Sequence, residues 1–274
     1  MANGLFVLTL GASLALLLAW AFRTLPQERW QILATIPIRK DRFGHWVGVN
    51  FTYYGVLTAS ASIAATMLFL LLMASVHVPL RVALAAVGLV LACCLPAAKL
   101  VARAVEGKQH TFSVAGAAFI GVLIAPLVVL LLTRLGGADG VVLPIGPTIA
   151  AMTIAYVFGE GLGRLACISF GCCYGKPVTE AGRLARRWFD RFHFAFWGET
   201  KKIAYASGLE GIKVVPIQAM TSALYVLIGL VGVSLFLASW FRAAFVLLIV
   251  LSQVWRIYSE TMRADYRGTR RVSP

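Results

Sequence analysis

Residues able to do chemistry concentrate in GEGLGRLACISFGCCYGKP, Gly159 to Pro177, where an apolar run, Ile145 to Phe158, meets a polar, basic stretch. The segment holds Arg164, the thiols Cys167, Cys172 and Cys173, and the glycines Gly159, Gly161, Gly163, Gly171 and Gly175. Glycine lets backbone approach a ligand closely or turn through positive φ, so this density reads as a site and not as a plain membrane anchor. A cation at the centre of a membrane helix costs roughly 2.5–3.5 kcal/mol, and less near its edge, so Arg164 needs an answering charge. Glu160 stands one turn earlier, in the favourable order for an i,i+4 pair. An interfacial arginine snorkelling to water is the alternative.

A second constellation is RIYSETMRADYRG, in which Arg256, Glu260 and Arg263 fall on one helical face at spacings of four and three. A carboxylate between two guanidinium groups holds their planar forks ready for phosphate, which suits a phospholipid headgroup. A solvated, ion-paired helix end beside anionic lipid has the same pattern.

The three thiols follow the C-terminal end of a helix, where the dipole does not favour a thiolate. Zinc would want two separated ligand pairs, and no second pair or histidine stands nearby, so neither metal nor cofactor is expected. Packing as small hydrophobes and a nucleophilic or basic role for Cys172 both stay open. Tyr54 in FTYYG and His110 in GKQHTF fall at span ends on the same side as Arg164. Histidine titrates in the range that suits proton transfer; an aromatic belt and an interfacial loop are the plainer readings of the two.

The elements that must position these groups are membrane helices. At 60% hydrophobic and 13% charged residues, the 274-residue chain is too apolar for a soluble fold. The formal charge of +14 follows from basic loops between spans, which bind anionic lipid, and nucleic acid is not a partner. The runs predict an all-α, multi-pass transmembrane bundle of about seven spans, 1–274 forming a single membrane domain. The spans are Leu5 to Phe22, Phe51 to Val76, Leu80 to Ala102, Phe112 to Thr133, Ile145 to Ile168, Pro216 to Trp240 and Ala243 to Tyr258. Residues 1–50 make an N-terminal span plus a connector, Arg23 to Asn50, expected to lie against headgroups. A polar, basic insertion at 175–214 separates spans five and six; its Trp188, Phe189, Phe192, Phe194, Phe196 and Trp197 alternate with arginines and suggest contact with the interface. All 25 Lys and Arg residues except Arg81, Arg134 and Arg242 fall on one side, which argues for an outside N-terminus and a cytoplasmic Arg164 end.

Together these stretches resemble the bacterial prolipoprotein diacylglyceryl transferase family, from about Tyr54 to Gly268, with a family-like core at 51–268. GRLACISFGCCYG looks like the family signature, placing Gly163, Arg164 and Gly175 on family positions, with Arg164 as a headgroup-binding arginine. Cys167 stands for the signature's asparagine and Cys172 for a glutamate, as in a cysteine-containing divergent branch. RIYSETMR places Arg256, Glu260 and Arg263 on functional positions; Tyr54 and Gly55 match the family's YG, and Pro216 and Gln218 parts of its HPSQLYE-like stretch. The chain departs from the family in FSVAGAAFIG, where Gly116 occupies the place of a catalytic histidine, and in PIQAMTS, which has Val215, Met220 and Thr221. The family's final span has no counterpart after Gly268, and an extra span precedes the core.

The resemblance implies a bacterial inner-membrane transferase that moves a diacylglyceryl or glyceryl-type group from phosphatidylglycerol to an acceptor the sequence does not name. Arg164 and Arg256 would clamp the phosphate with Arg263 assisting, Glu160 and Glu260 would orient them, and Gly163, Gly175, Cys167 and Gln218 would line the substrate site. His110, Tyr54 and Cys172 are the candidates for the base, in that order. Family topology implies an Arg164 end facing the periplasm, opposite to the charge count. A lipid-binding scaffold without turnover is the alternative from a different class, and a transporter would need repeat symmetry, of which none is evident.

Overall fold

Long apolar runs satisfy their backbone polar groups internally and so become helices in a lipid environment. The computed structural model describes residues 2–104, 114–136 and 143–265. In chain order they form α1 (Ala2–Thr24), β1 (Ile32–Lys40), β2 (Trp46–Thr52), α2 (Tyr53–Ser75), α3 (Leu80–Ala104), α4 (Val114–Gly136) and α5 (Ile145–Phe170). The short α6 (Arg183–Phe189) and α7 (Lys202–Ser207) come next, then α8 (Ile217–Leu237) and α9 (Phe241–Met262). Six of these helices are long and apolar enough to cross a membrane, and α4 contributes the shorter apolar stretch Ile120–Arg134 among the described residues. The protein is an all-α, multi-pass membrane protein, and each of the seven expected spans corresponds to one long helix. Pro96 and Pro126 lie inside α3 and α4, as membrane helices tolerate.

Half of the apolar window of α5 and of α8 is buried (50% each), against 17% for α1, α3 and α9, so the helix that carries Glu160 and Arg164 is among the most enclosed. Small residues let these helices approach. A Cβ on Gly161 would lie 2.9 Å from Tyr225 Cβ, and one on Gly229 would lie 2.6 Å from the Phe158 ring.

The described chain divides into two compact units. One holds Val157–Leu230 with the described parts of Met1–Ile63 and Val250–Gly268; the other holds Ala64–Tyr156 and Val231–Ile249. The candidate site residues of the described chain all belong to the first. In the second, α3 meets α4 at Gly121, where an added Cβ would touch the Cys94 sulfur at 3.3 Å, and α8 meets α9 where Leu248 fills the space over Gly232.

The connector after α1 has regular structure of its own. It folds into an antiparallel hairpin, β1 with β2, pairing Thr35 with Asn50 and Lys40 with Trp46. Its runs are rich in β-branched and aromatic residues, and Asp41 closes the turn by accepting the backbone N–H groups of Phe43 and His45, both at 2.8 Å. Gly44 supplies the positive φ, +83°. The hairpin exposes Ile36, Ile38, Phe43, Trp46 and Val49.

The insertion has a core of its own. Phe194 and Phe196 are buried and stack edge to face, and Phe194 meets Phe22 of α1 in the same way, so these two aromatics are not surface anchors; Trp188, Phe192 and Trp197 are exposed. Short antiparallel bridges, Pro177 to Val214 and Phe194 to Val214, close its base.

Candidate functional site

Within α5, Arg164 and Glu160 form an ion pair across one helical turn. Their side chains are 21% and 11% exposed, and the Arg164 Nε–H is buried without a protein partner. That donor is the conspicuous unsatisfied charge of the region, since a buried donor left unpaired loses the full free energy of its hydration.

Beyond α5 the chain turns sharply. Gly171 adopts φ +69° and Cys173 φ +57°, while the Cys172 N–H reaches back to the Cys167 carbonyl at 3.1 Å. The result brings the sulfurs of Cys167, Cys172 and Cys173 within 4.8 Å of one another. Cys167 is buried and the other two are half-buried. The Cys173 thiol is held well below the ordinary thiol range, first by hydrogen bonds from the Cys167 and Cys172 thiols and then by Arg263 and Arg164, against the opposing effect of burial. Cys172, as donor to its neighbours, is pushed up.

The start of α8 supports this turn. Gln218 Nε2 donates to the Cys172 carbonyl at 2.8 Å, and its Oε1 is buried without a partner, as is Ser222 Oγ one turn on. From α2, the Tyr54 ring lies on Phe170 with centroids 5.6 Å apart, within electrostatic reach of the three thiols and Arg164.

The end of α9 returns to the same place. Gly175 bridges Arg263, the Lys176 N–H donates to the Met262 carbonyl at 3.0 Å, and the Ala264 N–H donates to the Tyr174 carbonyl at 3.1 Å. Two motifs about ninety residues apart in the chain are therefore joined backbone to backbone. Gly175 is required by approach alone: a Cβ there would lie 2.5 Å from the Val215 carbonyl oxygen. Gly163 has nothing within 4 Å of the equivalent position.

The ion pairs on α9 differ from the sequence expectation. Glu260 pairs with Arg263 at 2.9 Å, and the Arg263 fork is closed on Asp265 by two bonds of 2.8 and 2.9 Å. Among the described residues the Arg256 guanidinium has no ion-pair or hydrogen-bond partner, while its carbonyl accepts the Ser259 hydroxyl at 3.0 Å. Arg256 lies one turn beyond Ser252, whose carbonyl accepts the Tyr225 hydroxyl at 3.0 Å, and next to Trp255, whose Nε1 donates to Thr221 Oγ1 at 3.0 Å. At 1.5 Å rise per residue this brings Arg256 to the level of the first turn of α8, where Gln218 holds Cys172. His110 lies outside the described residues.

Sequence reasoning misses two charged groups. Asp265 escapes it because a spacing of two does not face on a helix, and Arg263 lies just past the end of α9. Lys201 reads in the sequence as one more basic residue of the insertion, but it is fully buried, and its Nζ donates to the carbonyls of Leu25 at 3.2 Å and Ser169 at 2.6 Å. It caps the last turns of α1 and α5 together, where a cation suits the helix dipole.

No family model, curated protein or solved structure matches the chain. The class defined by the fold is that of a multi-pass helical membrane protein, with a half-buried cluster of arginines, carboxylates and thiols at one end of α5.

Proposed function

We propose that this protein is a phospholipid-dependent transferase of the bacterial inner membrane, moving a diacylglyceryl or glyceryl-type group from phosphatidylglycerol to an acceptor. The observation that carries the reading is the return of the α9 end onto Tyr174–Lys176, which sets Arg263 and Arg164 around one thiol at the end of an otherwise apolar helix. A guanidinium Nε–H left unpaired beside that joint is a ready donor for a phosphate oxygen.

In this scheme Arg164 and Arg256 bind the headgroup phosphate. The bond between the glyceryl carbon and the phosphate oxygen breaks as the acceptor's nucleophilic atom bonds to that carbon. Glycerophosphate leaves when the diacylglyceryl group moves, and phosphatidate when the headgroup glyceryl moves, the growing charge met by donors already in place. Arg263, held by Glu260 and Asp265, fixes the α9 end and supplies positive potential without giving up its fork. The acceptor's proton passes to a base drawn from Tyr54 and Cys172 among the described residues.

The test is lipid mass spectrometry of membranes with the protein, without it, and with Arg164→Ala. Turnover of phosphatidylglycerol into a new product, falling about a hundredfold or more in the variant, is the expected outcome. The closed Arg263 fork favours a second reading, a lipid-binding scaffold. Bound but unconverted phosphatidylglycerol in the purified protein would replace the transferase with that reading.

A further inference from the structure

We propose that Cys167, Cys172 and Cys173 form a trithiolate site for a thiophilic d10 cation, Zn2+ or Cu+. The inference shares these thiols with the transferase reading but does not rest on it, since metal binding is read without any lipid turnover.

Distance is the first argument. A metal–sulfur bond of about 2.3 Å sets the sulfurs of a three-thiolate site about 3.8–4.0 Å apart. The three sulfurs already lie within 4.8 Å of one another, so closing around an ion takes shifts of less than about an ångström. Sequence spacing hides this, because the ligands come from a helix end and a reversed turn and not from two separated pairs.

Backbone conformation is the second. A non-glycine residue in the left-handed region costs roughly 1–2 kcal/mol, and Cys173 sits there at φ +57°. Glycine at that position would relieve the strain, yet the chain places a thiol there and holds it from both sides. Gln218 grips the preceding carbonyl, and the buried Tyr174 with the Gly175–Arg263 bridge fixes the chain beyond it. Packing of a small apolar side chain gives no reason for such a hold, whereas aiming a ligand atom does.

Chemistry selects the ion. Thiolates choose Zn2+ or Cu+ over Mg2+ and Ca2+, and Arg164 and Arg263 offset the mutual repulsion of converging thiolates. Each ligand still protonated releases its proton to solvent on binding, and no electron is exchanged when the ion is supplied as Zn2+ or Cu+. Trigonal coordination by the three sulfurs suits Cu+; Zn2+ would add one exogenous ligand. Occupation would take Cys172 out of acid–base work and leave Tyr54 for it.

The full-length protein, purified under reducing conditions and stripped of metal, is titrated separately with Zn2+ and with Cu+ against competing chelators. Elemental mass spectrometry gives the stoichiometry, and Cd2+ reports thiolate ligation by its charge-transfer absorption. One equivalent of one of the two ions per chain is expected, lost in Cys167→Ser, Cys172→Ser and Cys173→Ser and kept in the Cys93→Ser, Cys94→Ser double variant. Gln218→Ala, which frees the Cys172 carbonyl, should bind about ten- to a hundredfold more weakly. Alkylation of the unaltered protein covers the case in which a variant fails to fold, since bound metal should protect these three thiols as read by peptide mass mapping. Substoichiometric binding of both ions, full binding by Cys173→Ser, or alkylation indifferent to metal would overturn the proposal.

Discussion

At the scale of single residues, the two arginines joined to the thiol cluster are not equivalent. Arg263 has its fork filled by Asp265 and its remaining nitrogen on Glu260, so it behaves as a structural cation. Arg164 has one carboxylate partner and one donor to spare. The glycines divide in the same manner, and two substitutions separate them. Gly175→Ala drives a Cβ into the Val215 carbonyl, a rigid backbone atom, so it should destabilise the protein by about 1–3 kcal/mol, the usual range for overpacking. Gly163→Ala meets open space inside a helix, where alanine is favoured by roughly 0.5–1 kcal/mol. Thermal unfolding in detergent should therefore show a lowered midpoint for the first and an unchanged or raised one for the second. Equal midpoints would mean that the close approach at Gly175 relaxes freely. If Gly163→Ala is stable but loses phosphatidylglycerol turnover, lipid uses the open space beside Arg164.

At the scale of elements, Lys201 ties three of them together. It lies just before α7 and caps both α1 and α5, while Gln31 and Thr200 exchange hydrogen bonds next to it and the Trp197 N–H donates to the Pro26 carbonyl at 3.1 Å. The N-terminal helix is thus built into the site's unit. Burial lowers the Lys201 amine from its ordinary value to about 8, only partly offset by Glu28, the charged group that faces it. An unfolded chain keeps the proton up to pH 10.5, so between about pH 8 and pH 10.5 it binds more protons than the folded one, and the contribution of this group to stability rises with pH across that window. Below about pH 8 both states hold the proton and the contribution is flat. Lys201→Met should abolish this rise and, at neutral pH, cost about 1–3 kcal/mol for each carbonyl left without its donor. Unfolding midpoints of the two proteins across the window test it, and parallel curves would remove Lys201 as the cause. None of this is legible in the sequence, because Lys201 lies 176 residues from one partner and 32 from the other. The Arg164–Glu160 pair is legible, since a helix fixes which side chains face each other at i,i+4. The thiol cluster is not, because it depends on left-handed turns at Gly171 and Cys173 that no local pattern announces. The hairpin's pairing is not legible either, because a β-branched alternation beside membrane spans does not by itself say which residues face each other across a turn.

At the scale of the whole molecule, span number follows from run length, while parity follows from a contact. The connector after α1 touches the insertion after α5, through Pro26 with Trp197, Gln31 with Thr200 and Leu25 with Lys201. Both segments must then lie on one side of the membrane, and an even number of crossings must separate them. Helices α2, α3 and α5 give three, so α4 supplies the fourth, although its described apolar stretch, Ile120–Arg134, is shorter than the others. That shared side carries nearly all the positive charge, and on the positive-inside bias we propose that it faces the cytoplasm. Free thiols side by side also persist better in a reducing compartment. A membrane-impermeant maleimide should therefore label neither Arg42→Cys at the hairpin turn nor Arg187→Cys in the insertion in intact cells, and both after permeabilisation. Labelling of one and not the other would break the parity argument. Labelling of both in intact cells would turn the site outward, and an exported lipoprotein cysteine would then become the acceptor to test; an inward site instead calls for an acceptor made in the cytosol or carried in the inner leaflet.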